Sequence, residues 1–451
     1  MKIVNHSVSQ SHLLKWQKEI KSLLGQRERL VAGGLESMIR KFYRQKKGVL
    51  LKLAKKHPTP FYVFDRPALT RAAKNFKQAF DPHLPQASYY YAVKTNPHPW
   101  VLQTVVKQGF GLDVSSSREL KLALQAGAKK MVFSGPGKTT ADLQLALRHR
   151  DQVIVHLDSF GELQRLAKLT SAKRQKITVG VRIFTRYHGI WNKFGIPLDD
   201  LKSFMATVQK QAYLDFAGIQ FHLSWNASPR PYQNVLAELA TYLKKNLSAH
   251  QLAAIKFVDL GGGFLPYQTK GDNPWGASAT ADLIQKASEY SAVKPKFLHH
   301  YYLTEAATLR QYAQGISQAI KKHFAFLPKL AWFAEPGRVI AQNAMHLVMR
   351  VADVKAADKI IMDGGVNIVG WEGLRYDYTP IIDLNHFSPK EKSCVVYGCL
   401  CMADDVWSYS AYAGKIAEGD VMVIPNFGAY SFTLAQEFIK DIPRVYSLTG
   451  G

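Results

Sequence analysis

The chain has 451 residues, 59 Lys plus Arg against 34 Asp plus Glu, and a formal charge of +25. Such a length suggests two domains, one of them large, and 47% hydrophobic residues with a mean hydropathy of −0.15 give a chain able to build sizeable cores. No apolar run approaches a membrane span, the opening residues lack a signal-peptide pattern, and the three cysteines, Cys394, Cys399 and Cys401, are too few and too clustered for a disulfide-stapled scaffold.

A cytoplasmic protein without a membrane span is therefore expected. Residues 1–56 carry 14 Lys or Arg and 3 acids, a local charge of +11. Apolar residues at Leu13, Leu14, Trp16, Ile20, Leu23 and Leu24, and again at Ile39, Phe42, Tyr43, Leu50, Leu51 and Leu53, recur at helical spacing. This predicts a basic extension of two amphipathic helices broken at Gly33 and Gly34. An arm for nucleic acid or an anionic surface is one reading of it. Solvated lysines on helices packed against the body is the favoured one, because no aromatic-rich nucleic-acid module accompanies the charge.

After His57 the pattern changes. Strand-like runs are expected at 88–93, 110–114, 130–134, 152–157, 177–183, 216–223, 255–260 and 330–334, separated by helical stretches such as SRELKLALQAGA and TADLQLALRHR. Eight strands with crossovers suit a closed (β/α)8 barrel, with a doubly wound open sheet as the competitor. In a barrel, reactive groups gather where strands end at the C-terminal face. Lys94, Asp113, Arg182, His222, Gly261 to Gly263, and Glu335 with Arg338 all fall at or just past such runs.

Each group has a plain alternative: a lysine where a strand surfaces, an ordinary glycine turn, a satisfied core histidine. Together they say more. Lys94, desolvated at a strand end, would lose proton affinity and become a Schiff-base nucleophile. The glycines would let backbone amides approach a phosphate, Arg338 would grip an anion, His222 would lie over a planar ligand, and Glu335 would supply a carboxylate. An amine, a phosphate cradle, a flat ring and a carboxylate around one barrel mouth describe a pocket for pyridoxal 5'-phosphate.

The order of motifs resembles the fold-type III pyridoxal-phosphate enzymes of the ornithine and diaminopimelate decarboxylase family. The pieces are TPFYVFD (59–65), YAVKTN (91–96), GLDVSSSREL (111–120), NKFGI (192–196), FH (221–222), DLGGGF (259–264), EPGR (335–338), GCLCMADD (398–405) and FGAYS (427–431). The resemblance implies an alanine-racemase-like (β/α)8 TIM barrel over residues 65–340. It also implies a C-terminal β-sandwich or barrel domain from residues 341–451 plus a strand at 59–64. It further implies that Lys94 holds the cofactor with Asp113 beside it, His222 stacks on the pyridine ring, Glu335 meets the ring nitrogen, and Gly261, Gly262, Gly263, Gly337, Arg338 and Tyr430 hold the phosphate.

By the same resemblance, Cys401 is a general acid that reaches the neighbouring subunit's site, so a homodimer with shared sites is expected. Without the resemblance, Cys401 reads as a small buried hydrophobe. The three cysteines lack the fourth ligand and spacing of a zinc site, and no metal is expected. Having Glu335 rather than an arginine at the ring nitrogen favours decarboxylation of an amino acid or amino-acid-derived carboxylate over racemisation or epimerisation. A catalytically silent regulatory homologue is the third class.

Two departures bear on the substrate. Met402 stands where relatives acting on a basic distal group carry an acid, and HLSW (222–225) alters the usual His-x-Gly-Ser phosphate turn. Asp404 or Asp405 could take over the acidic role, and Arg375, in DGGVNIVGWEGLRYDY (363–378), is a candidate for a substrate carboxylate. Substrates range from basic amino acids through diaminopimelate to intermediates of siderophore or polyamine pathways. The long connection 264–300 is expected to hold a helix and a lid or dimer-contact loop.

Overall fold

The computed structural model describes residues 32–189, 193–266, 306–370, 377–402 and 405–449, with short pieces between 9 and 19 and at 271–272 and 302–303. Eight parallel strands form a closed ring: β2 (Ala87–Ala92), β3 (Gly111–Val114), β4 (Met131–Phe133), β5 (Val153–Leu157), β6 (Ile177–Phe184), β7 (Leu214–Gln220), β8 (Phe257–Asp259) and β9 (Ala331–Ala334). Pairing of Trp332 with Ala87 joins the last strand to the first, which excludes the open sheet. Helices cross back between strands. Several start where the sequence supplies a cap: Ser116 accepts from the Glu119 amide, Ser159 from Glu162, and Thr139 with Asp142 forms a capping box.

The barrel interior changes character with height. Tyr90, Val132, Phe257 and Phe333 form an apolar layer against Ile154, with the rings of Phe257 and Phe333 stacked at 4.3 Å. Side chains on a strand alternate faces, so the next inward position is two residues on. Following Val132, Ile154, Phe257 and Phe333 by two are Ser134, His156, Asp259 and Glu335, all buried. The upper half of the barrel is thus polar although sealed from water.

A second sheet begins before the barrel. Strand β1 (Phe61–Phe64) lies antiparallel to β10 (Met345–Ala356) and parallel to the strand Arg444–Ser447. Beyond β10 the sheet continues through Lys359–Met362, Phe387–Tyr397, Val406–Ala413, Ile382–Asp383 and Val421–Ile424, which pairs back onto β10 and closes the ring. The helix Ala32–Lys56 packs on this domain through Leu35, Ile39, Phe42, Leu50 and Ala54, against Phe61, Val63, Val348 and Ile382 among others. Lys46 pairs with buried Asp65 at 2.6 Å, and Arg350 donates to the Ala54 carbonyl at 2.7 Å. Gly33 and Gly34, expected to separate two helices, instead sit in this helix's first turn. Much of the first predicted helix lies outside the described residues, as does most of the connection 264–300. Among the described residues, no helix is long and apolar enough to cross a membrane.

Candidate active site

The polar layer rises to the C-terminal mouth of the barrel. Lys94 occupies a single turn, Val93–Thr95, directly after β2. Its Nζ lies 3.6 Å from Asp113 Oδ2 on the neighbouring strand. Asp113 is fully buried, its Oδ1 accepts from the Ser134 hydroxyl, and Oδ2 has no hydrogen-bond partner among the described residues. Burial, reinforced by Glu335, pushes the Asp113 carboxyl up to about 6. The sequence-based expectation that Lys94 loses proton affinity is reversed in this arrangement. Burial pulls its pKa down, but the Asp113 charge, with Tyr430 and Glu335, raises it overall.

Across the mouth stands His222, two residues past β7. Its Nδ1 accepts the Gly262 amide at 3.1 Å and lies 3.6 Å from Glu335 Oε2. Burial, followed by Lys94 and Arg182, drives its pKa well below the usual histidine value. The ring is neutral, and the acceptor role of Nδ1 places the remaining proton on Nε2. Glu335, just past β9, receives Gln220 Nε2 on both carboxylate oxygens at 3.2 and 3.4 Å. Beneath it, burial and then the Glu335 charge hold Asp259 well above the ordinary carboxylate range. Arg182 sits near the end of β6, buried, with its guanidinium 4.5 Å from the Phe194 ring.

The glycine run needs its glycines. At Gly263, with φ +86°, a Cβ would fall 1.9 Å from the Leu223 carbonyl oxygen, and at Gly262 one would fall 2.4 Å from that of Glu335. The backbone thereby closes tightly onto the turn that carries His222. Gly337 is packed against Thr95 in the same way. Arg338 lies between two rings, 4.5 Å from Trp225 and 4.8 Å from Tyr430. Both aromatic residues have positive φ, 58° and 59°, and the Tyr430 amide donates to the Thr95 carbonyl at 2.9 Å. The turn altered in the sequence has therefore put an exposed tryptophan against the guanidinium.

Lys94, Asp113, His222, Gly261 to Gly263, Glu335, Gly337, Arg338 and Tyr430 are thus gathered at one mouth. This donor set fits pyridoxal phosphate: an amine, a neutral flat ring, a buried carboxylate and a guanidinium, with an Asp113 oxygen that makes no hydrogen bond among the described residues facing the amine. The C-terminal domain residues are arranged differently. Cys401 is exposed and Met402 half-buried. Asp405, expected at the substrate, is buried in its own turn, where Oδ1 accepts the Val366 amide at 2.8 Å and Oδ2 the Leu400 amide at 2.6 Å. That corrects the expectation, because both oxygens are committed to holding the loop that displays Cys401. Asp404 and Arg375 lie outside the described residues.

A buried ion pair that no sequence pattern announces lies under this mouth. Lys138 Nζ is 2.9 Å from Glu162 Oε2 and donates to the carbonyls of Gly135 and His156. Glu162 also accepts the amides of Lys138 and Asp158. The pair fixes the segment after β4 that presents Ser134 to Asp113. The nearest sequence sign of it is a lysine directly after the Gly135-Pro136-Gly137 turn that follows a strand.

Residues 67–342 match the family model described as "Pyridoxal-dependent decarboxylase, pyridoxal binding domain". The chain is 26% identical over 402 residues to a diaminopimelate decarboxylase of Campylobacter jejuni, covering 86% of this chain and 90% of that protein. It is 28% identical over 419 residues to one of Vibrio cholerae, covering 88% of each. A crystal structure of diaminopimelate decarboxylase from M. jannaschii in complex with L-lysine superposes with a TM-score of 0.72 at 21% identity, covering 89% of this chain and 90% of that one. A lysine/ornithine decarboxylase of Vibrio vulnificus complexed with putrescine gives 0.69 at 19%, covering 89% and 97%. At those identities the structural likeness carries the fold.

Proposed function

The chain belongs to the pyridoxal-dependent decarboxylase family, and from that premise we propose that it removes the carboxylate of an amino acid or amino-acid-derived substrate, with Lys94 as the cofactor's attachment point. The observation that carries this reading is the convergence of Lys94, Asp113, His222 and Glu335 on one barrel mouth, with both carboxylates buried. When bound, pyridoxal phosphate supplies an electron sink for the pair left behind by the departing carboxylate. His222, neutral and held by the Gly262 amide, offers its face to the ring. Glu335, whose position is fixed by Gln220, would hold a proton at the ring nitrogen of the bound cofactor. The Gly261 and Gly262 amides hold Asp259 and His222, so the amides of Gly263 and Gly337, the Arg338 guanidinium and Tyr430 would receive the phosphate.

Cys401 supplies the proton that replaces the lost carboxylate. Its exposure on a turn of the C-terminal domain supports delivery to the mouth of a second copy, in a two-fold homodimer with shared sites. Met402 beside it cannot pair with an ammonium, so a substrate whose distal end is carboxylated or uncharged there is favoured, with Arg375 as the carboxylate's partner. The test is direct. Purified protein should show the visible absorption of a bound imine that borohydride abolishes, and should release carbon dioxide from members of an amino-acid panel. Full activity in Lys94→Ala, or interconversion of stereoisomers without carbon dioxide, would refute the reading.

A further inference from the structure

The C-terminal domain gathers a second set of donors that the barrel chemistry does not use. The strand Ile382–Asp383 leads into a turn carrying His386, and it pairs with the strand Val421–Ile424, just ahead of which stands Asp420. One ring nitrogen of His386 and one carboxylate oxygen from each of Asp383 and Asp420 lie within 4.8 Å of one another. His386 Nδ1 stands 3.0 Å from Asp420 Oδ2. Asp383 is completely buried. Its Oδ1 accepts the amides of Asn385 and His386, while Oδ2 is sealed from water with no hydrogen-bond partner among the described residues.

An ionised oxygen buried without a partner is costly, and a second carboxylate beside it adds repulsion. The surrounding backbone is braced rather than adaptable. The Leu384 amide donates to the Val421 carbonyl at 2.9 Å, the Val421 amide to Asn385 Oδ1 at 2.9 Å, and the Ala417 amide to Asp420 Oδ2 at 2.7 Å. The His386 side chain is 42% exposed, which opens the cluster to solvent from one side.

We propose that Asp383, His386 and Asp420 form a divalent-cation site of the zinc type, completed by water, that clips the turn at 384–386 to the turn at 417–420. Zinc bonds of ~2.0 to 2.2 Å at tetrahedral angles put donor atoms roughly 3.3 to 3.6 Å apart, so His386 and Asp420, at 3.0 Å, need to part by only a few tenths of an ångström. An imidazole nitrogen with two carboxylates suits zinc, cobalt or manganese better than calcium or magnesium, which favour all-oxygen shells.

The experiment uses the full-length holoprotein, stripped of metal by chelator and dialysed. Zinc binding is followed by calorimetry and cobalt binding by visible absorption. The expected result is one ion per chain, with affinity at least about tenfold weaker in His386→Ala and in Asp383→Asn. His386 lies at the surface, so its variant keeps the test valid if Asp383→Asn fails to fold. Wild type that binds no stoichiometric ion, unchanged affinity in His386→Ala, or a thiolate-to-cobalt band placing the ion on Cys399 or Cys401 would each overturn the proposal.

Discussion

Glu162→Gln removes the only carboxylate paired with the Lys138 ammonium among the described residues, in a place where both side chains are almost wholly buried. Breaking one partner of such a pair costs about 3 to 5 kcal/mol, because the remaining charge is left in a medium that cannot solvate it. Burial already lowers the Lys138 pKa, and only Glu162, with help from Asp158, opposes that pull. Part of the loss is therefore relieved by deprotonation of the lysine. For a unit of the barrel's size the midpoint of thermal unfolding should fall on the order of 10 °C, read by circular dichroism. Lys138→Met should fall comparably, and the double variant Lys138→Met/Glu162→Gln should lose clearly less than the two single losses summed, with a coupling above about 1 kcal/mol. A fall of under about 2 °C in Glu162→Gln, or strict additivity, would refute the reasoning.

Trp225→Ala removes one of the two rings on Arg338 and should weaken cofactor binding about two- to fivefold, the effect of one partly exposed cation–π contact, measured by spectrophotometric titration of the apoprotein. Mixing inactive Lys94→Ala and Cys401→Ala proteins should restore up to about a quarter of wild-type activity through shared sites in the heterodimer; no rescue despite proven heterodimers would place both residues in one chain's site. Met402→Glu should raise kcat/KM for lysine or ornithine relative to wild type; a wild type that already prefers them would contradict the reading of that pocket. Asp383, raised to about 6 chiefly by burial, binds its proton more tightly folded than unfolded. Metal-free protein should therefore gain stability from this group as pH falls from above 6 toward the ordinary carboxylate value, and Asp383→Asn should flatten that part of the profile.

The barrel was legible because its strands are sealed on both sides, so YYYAV, ITVGVRI and FAGIQF each read as continuous apolar runs. The residues at the ends of those runs gave the site, since the barrel topology alone brings Lys94, His222 and Glu335 together. What stayed hidden depends on side chains meeting across sequence-distant turns. The packing of Trp225 and Tyr430 on Arg338 involves three segments and two positive-φ residues that no periodicity announces. His156 and Asp259 look like ordinary strand residues, and only the alternation of inward positions puts them beneath Glu335. Asp405 resembled a substrate ligand because sequence shows a carboxylate but not that two backbone amides already occupy it.

The placement of Phe61–Phe64 sets an order of events during synthesis. That strand is made before the barrel, yet its parallel neighbour Arg444–Ser447 follows it by most of the chain. At typical ribosomal speeds the wait is roughly 20 to 75 s, long enough for the intervening barrel to close and for Phe61 and Val63 to be covered on one face by the helix Ala32–Lys56. The helix thus shields an apolar strand that must remain incomplete while hundreds of residues emerge. The last strand then docks on an edge already braced by β10, so completion of the small domain reports that everything between has been made.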